Sequence, residues 1–143
     1  MTEYDKIHTY QGGDKMTDKL SEIFFEQNEL NSRIVRERGL DYTVDEWMRQ
    51  WALAVFSETN EILDEINWKH WKNDSGIDME ALKGEVVDLL HFVISMSLTC
   101  GMNADELHYR YMVKNKENHD RQEGKVSGRE DYEVTNNNER RSV

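Results

Sequence analysis

Residues 43–68, TVDEWMRQWALAVFSETNEILDEINW, decide how the rest of the chain is read. Thr43-Val44-Asp45-Glu46 has the form of a capping box, in which the Thr hydroxyl and the Glu carboxylate each satisfy an orphan N–H of a first helical turn. From there Trp47, Trp51, Ala54, Val55, Glu58, Ile62, Glu65 and Trp68 recur at the steps of one helical face, with no Gly or Pro between them. The pattern predicts a helix that runs on to Trp71 or Lys72, ahead of an Asn73-Asp74-Ser75-Gly76 turn. Such a helix is ~40 Å long at ~1.5 Å per residue. An acid, Glu58, stands in the middle of its apolar face.

The same period appears on both sides of this stretch. Upstream, from Thr17, the residues Leu20, Ile23, Phe24, Gln27, Leu30, Asn31 and Ile34 mark a first helix that Gly39 stops. Downstream, Asp78 is placed to cap a third helix carrying Leu82, Glu85, Val86, Asp88, Leu89, Phe92, Val93 and Met96 and ending at Gly101. The second half of that helix is apolar nearly all round, which suits a central, well-covered element. Asn103 with Glu106 is placed to cap a fourth helix, on which Leu107, Tyr111, Lys114, Asn118 and Arg121 share a face. Residues 1–16 carry no sustained period and are expected to be an arm. Residues 124–143 are polar and aperiodic, a tail rather than a domain. The expected fold is all-α, an antiparallel helical bundle of about four main helices formed by residues 17–123, because helices with short connections bury their stripes against one another.

Composition agrees with that architecture. The 143 residues include no Pro and 8 Gly, so little breaks long helices. A formal charge of −11, with no basic stripe, argues against a polynucleotide partner. No charged-then-apolar leader opens the sequence, and no apolar run approaches the ~20 residues of a membrane span. The expectation is a cytoplasmic protein without membrane contact. Cys100, alone of its kind, closes the apolar run from Phe92 and is expected to be a small buried hydrophobe. Trp47, Trp51, Phe56, Trp68 and Trp71 lie on more than one side of helix two, more than one small bundle covers, which points to a homodimer.

The carboxylates carry the chemistry. Glu58 and Glu61 are three apart on helix two, and Glu85 and Asp88 three apart on helix three, so each pair reaches a common spot from adjacent turns. One such pair on a helix is ordinarily surface. Two pairs leaning toward an interhelical space repel by kilocalories at an effective dielectric of ~20 unless cations lie between them. Oxygen ligands without a Cys or His cluster select Mg²⁺, with Mn²⁺ as substitute, over zinc. A second group, Tyr111, Lys114, Asn118 and Arg121, sets two cations and an amide on one face of helix four. That face is either plainly solvated or suited to phosphate oxygens. Gln27 and Asn31 are amides inside an apolar stripe, where an unbonded amide costs roughly 1–3 kcal/mol. They either bond helix to helix or read the edge of a base.

These residues resemble a known family, the all-α dimeric dUTPases, relatives of the MazG-type nucleotide pyrophosphohydrolases. The matching segments are Ser57-Glu-Thr-Asn-Glu61, Trp68-Lys-His-Trp-Lys72, Glu85-Val-Val-Asp-Leu-Leu-His-Phe92 and Lys114-Asn-Lys-Glu-Asn-His-Asp-Arg-Gln122. The resemblance implies a dUTP diphosphatase that hydrolyses dUTP, and also dUDP, to dUMP. It implies Glu58, Glu61, Glu85 and Asp88 as magnesium ligands, with Glu61 or a neighbour orienting the attacking water toward the β-phosphorus. Phe92 would pack on the deoxyribose. Gln27 and Asn31 would read uracil, with Asn28 as the alternative to Gln27. His70 and Tyr111 would contact substrate, and Lys114, Asn118, Arg121 and Lys125 would hold the phosphates. The tail, with Lys125 and Arg129, is expected to close over the bound triphosphate. Two other readings are carried forward: a MazG-type hydrolase for another deoxynucleotide, and an interaction protein whose binding to a regulatory partner is switched by nucleotide.

Overall fold

The computed structural model describes residues 18–125 apart from positions 67, 70, 72, 74 and 75. The N-terminal arm, His70 and the tail beyond Lys125 with Arg129 lie outside the described residues. The described residues form helices and connecting loops: α1 Lys19–Arg38, α2 Val44–Glu65, α3 Met79–Thr99 and α4 Ala104–Gln122. The fold is all-α, as the periodicity predicts. The chain divides into two compact units, Met1–Asp105 and Glu106–Val143.

Local chemistry accounts for the helix ends in the first unit. Asp18 caps α1 by accepting the Ser21 N–H at 2.9 Å. Gly39 ends it in the left-handed conformation at φ 63°, which a residue with a Cβ adopts only under strain. Arg36 and Arg38 stand in the last turn, where positive charge complements the helix dipole. The backbone N–H of Thr43 donates to Glu46 at 2.9 Å, the reciprocal arm of the expected capping box. Asp78 accepts from the N–H groups of Glu80 and Ala81 at 3.0 and 3.1 Å and so starts α3.

Packing then aligns the three helices. Trp51 on α2 donates its indole N–H to Thr99 Oγ1 on α3 at 3.0 Å and lies 6.1 Å from the Phe92 ring. Glu58, seven residues later on α2, meets the charges of Asp88 and Glu85 earlier on α3, so these two helices run antiparallel. Between α1 and α3, Gln27 reaches His91 and Asn31 reaches Ser95. Both numbers rise together, so α1 and α3 run parallel, as an up-down-up order requires. Phe24, Val35 and Ile94 are at most 1% exposed and form the innermost layer. Val35 and Trp47 are backed by Leu40, Tyr42 and Trp51. The Trp47 and Trp51 rings stack at 4.9 Å, and Tyr42 meets Trp47 edge-on at 5.0 Å.

Three expectations are corrected. Helix α2 stops at Glu65 instead of running to Trp71, and Ile66 already has extended dihedrals. Ile66, Asn67 and Trp68 are consecutive residues of modest helix propensity. The indoles of Trp68 and Trp71 pack edge to face on each other at 5.9 Å. Cys100 is exposed, because it caps α3 past the last inward-facing turn, where Thr99 takes the buried position. On α1 the buried stripe is Phe24, Gln27, Asn28, Asn31 and Val35, while Ile23, Leu30 and Ile34 are each more than 40% exposed. Among the described residues no single helix is long and apolar enough to cross a membrane.

In the second unit, α4 carries its charges largely in pairs of its own. Lys114 Nζ meets Glu117 at 3.1 Å, Arg121 meets the same carboxylate at 3.6 Å, and Lys116 meets Asp120 at 2.5 Å. Just past the helix, Lys125 pairs with Glu123.

Candidate active site

The antiparallel register of α2 and α3 brings Glu58, Glu61 and Glu85 together. One carboxylate oxygen from each lies within 4.8 Å of the others, the group best arranged for a metal ion among the described residues. Asp88 is outside that trio, yet its charge acts on both Glu58 and Glu85. Burial at the seam, then Glu61, Asp88 and Glu85, push the Glu58 carboxyl above the usual carboxylate range. Burial, then Glu61, Asp88 and Glu65, do the same to Glu85. Like charges held together, with part of their hydration removed, disfavour the ionised form, and a bound cation removes that penalty. The α2 terminus offers no internal relief, since its last turn has no basic residue. Glu65 was not among the expected site residues. Its signal was its place on the Glu58 stripe, one turn beyond Glu61.

Beside the acids lies a cavity of about 590 Å³, lined by residues of all three helices of the first unit. Glu58 and Asp88 belong to its wall. So do the amides of Gln27, Asn31 and Gln50, the His91 imidazole, and an aromatic group of Tyr42, Trp47, Trp51 and Phe92. Leu30, Ile34 and Leu40 complete it. Mostly apolar walls with a few placed polar groups are what a small-molecule site needs. The expected sugar contact, Phe92, is therefore next to the acids and the amides.

The two amides are not loose. Gln27 Nε2 donates to Asn31 Oδ1 at 2.9 Å, Asn31 Nδ2 donates to Ser95 Oγ at 3.0 Å, and Gln27 Oε1 lies 2.5 Å from His91 Nδ1. Each amide nitrogen has two hydrogens and spends one in these bonds. The alternatives of helix-to-helix bonding and base reading are thus compatible. Asn28 is also buried, and its Oδ1 has no hydrogen-bond partner among the described residues. It does not line the cavity with Gln27 and Asn31. Ser95 and Gln50 were missed by the sequence reading, since nothing in their spacing sets them apart from packing or surface residues.

The remaining expected residues are on or just beyond α4, in the second unit. Tyr111 is 64% exposed, Lys114 and Asn118 are exposed, and Arg121 is half-buried. Lys114 and Arg121 share Glu117, and the exposed Lys114 pair gives way to a stronger anion at little cost.

Comparison with known proteins fits this geometry. The model of the dUTPase family matches residues 19–107, a span that holds the four acids, both amides and Phe92 but not the basic face of α4. The dCTP pyrophosphatase of Enterobacteria phage T4 is 32% identical over 101 aligned positions, covering 54% of this chain and 59% of that protein. A DNA replication protein of the same phage is 31% identical over 94 positions, covering 49% of this chain and 24% of its own length. The chain thus spans well under two thirds of both relatives. No solved structure matches it. With the family match extending over most of the chain and over the whole acid-lined cavity, this protein belongs to the all-α dUTPase family.

Proposed function

We propose that the chain is a magnesium-dependent nucleoside triphosphate pyrophosphohydrolase that converts dUTP to dUMP and pyrophosphate, with dUDP as a second substrate. The observation that carries this reading is that Glu58 and Asp88 belong at once to the acidic cluster and to the wall of the amide- and aromatic-lined cavity. A nucleotide whose base occupied the cavity would then bring its phosphates to the acids.

The donor set fits Mg²⁺, or Mn²⁺ in its place: hard oxygens only, with Glu58, Glu61, Glu85 and Asp88 as the holders and mutual repulsion waiting to be relieved. One carboxylate oxygen from each of Glu58, Glu61 and Glu85 lies within 4.8 Å of the others, so these three would converge on one hard cation by side-chain movement. When bound, the ion supplies Lewis-acid polarisation of phosphate oxygens and offsets their charge. Glu61, the most open of the three glutamates, would orient a water and receive its proton. The water oxygen bonds to phosphorus, the bridging P–O bond breaks, and pyrophosphate and the monophosphate separate without a covalent enzyme intermediate. Lys114, Asn118, Arg121 and Lys125 would hold the phosphates by charge-assisted hydrogen bonds, with Tyr111 and His70 as further substrate contacts. Phe92, near the Trp51 ring, would pack on the deoxyribose. The working form would be a homodimer that covers exposed apolar surface such as Leu53 and Phe56, which are 61% and 74% exposed.

A second reading, dCTP as the preferred substrate, is supported by the similarity to a dCTP pyrophosphatase. The test is pyrophosphate release by the full-length chain from each deoxynucleoside triphosphate with Mg²⁺, with Mn²⁺ and with chelator. Preference for dUTP supports the first reading, and preference for dCTP replaces it with the second. No release from any of them with either metal refutes both.

A further inference from the structure

The hydrogen bonds that join the buried amides to the cavity's histidine have a direction, and it is set at one end. Ser95 is 1% exposed, and its single hydroxyl hydrogen is donated to the backbone carbonyl of His91 at 2.9 Å. A carbonyl only accepts, so Ser95 Oγ meets Asn31 as an acceptor and receives Asn31 Nδ2–H at 3.0 Å. The other end of that amide, Oδ1, therefore faces Gln27 and receives Nε2–H at 2.9 Å. Gln27 in turn directs its oxygen at His91 Nδ1, 2.5 Å away. An amide oxygen has no hydrogen to give, so the ring nitrogen is the donor. In a neutral imidazole that carries its proton on Nδ1, Nε2 is left as an acceptor.

We infer that Ser95 is a positioning residue that acts through Asn31 and Gln27 to hold His91 in the Nδ1–H tautomer, presenting Nε2 as a hydrogen-bond acceptor for an N–H on the edge of a pyrimidine base. The tautomer follows from the geometry of four side chains and one carbonyl. The ligand class rests on the nucleotide reading of the cavity that His91 lines. Reversing the relay would require Ser95 to abandon its helix carbonyl, which costs a part-buried hydrogen bond. The chain of bonds also explains why two amides are tolerated in the α1 stripe: each fixes the orientation of the next.

The test is a long-range ¹H–¹⁵N spectrum of the imidazoles in the full-length protein at mildly alkaline pH, with His91 assigned by the loss of its signals in His91→Gln. The wild type should show a protonated Nδ1 and a bare Nε2. Ser95→Ala should release the amides to rotate and move His91 toward the Nε2–H form that free histidine prefers, and Ser95→Thr, which keeps the hydroxyl, should restore the wild-type signals. An Nε2–H ring in the wild type overturns the inference even if no variant folds. So does an unchanged tautomer in a folded Ser95→Ala. With dUTP or dCTP as substrate, Ser95→Ala should raise KM about tenfold and leave kcat nearly unaltered, the signature of lost binding rather than lost chemistry. An unchanged KM beside a changed tautomer overturns the ligand half. A protein that hydrolyses neither nucleotide defeats the proposed function while the spectra still decide the tautomer.

Discussion

Replacing Asn31 by leucine keeps a branched side chain of similar size and removes both of its hydrogen bonds, to Gln27 at 2.9 Å and to Ser95 at 3.0 Å. Asn31 is 4% exposed and Gln27 6%, so water does not readily replace what is lost. Each bond contributes about 1 kcal/mol net, and the Gln27 donor left buried without an acceptor costs about 1–3 kcal/mol. The new methyl groups recover part of this at ~0.8 kcal/mol per buried carbon. The balance is a loss of about 2 kcal/mol, which for a chain of this size lowers Tm by roughly 5–8 °C. Adding Gln27→Leu removes the orphaned donor, and His91, which is exposed, can turn to water instead. The double variant should therefore be no less stable than Asn31→Leu alone, a strong departure from additivity. The assay is thermal and urea unfolding of the wild type and of both single variants and the double, followed by far-ultraviolet circular dichroism. A single variant that melts with the wild type, or a double variant whose loss equals the sum of the two singles, would refute the reading of a hydrogen-bonded relay through buried amides.

Further outcomes follow from the acidic cluster and the exposed apolar face. Glu58→Gln and Asp88→Asn should each lower kcat/KM more than ~100-fold while the helical spectrum is retained, since each removes a ligand charge and keeps the shape. Near-wild-type turnover in either would rule out the metal-site reading. The raised carboxyls of Glu58 and Glu85 bind protons more tightly folded than unfolded. Their penalty is absent below the unfolded value of 4.5 and is felt in full above the raised folded ones, so the metal-free protein should lose stability as pH rises through that window. Mg²⁺ should stabilise more at neutral than at acid pH, and a melting shift independent of pH would count against the cluster as its site. Sedimentation at micromolar concentration should give twice the chain mass, whereas an active monomer would remove the dimer.

The residues that build each helix are legible because their causes lie within a turn or two. Asp18, the Thr43–Glu46 box, Asp78 and Gly39 act on backbone groups up to four residues away, and the apolar period needs only one helix to be seen. The two acid pairs are legible for the same reason, since a separation of three residues sets both carboxylates on one face. That much was determined by the sequence itself: an all-α chain with two acid pairs, each on one face of its helix. What only the tertiary structure decided is which residues meet across helices. The α2–α3 register, anchored by Trp51 and Thr99, puts Glu58 and Glu61 opposite Glu85 and brings Glu65 into their field. The parallel α1–α3 register joins Gln27 to His91 and Asn31 to Ser95, a partnership 64 residues apart that no local pattern announces. The end of α2 at Glu65 and the exposure of Cys100 were decided there too, because a weak helix former or a terminal residue goes where the surrounding packing leaves it. Caps and periods are set by near neighbours along the chain, whereas register is set by how three apolar faces fit together, and only the folded chain contains that fit.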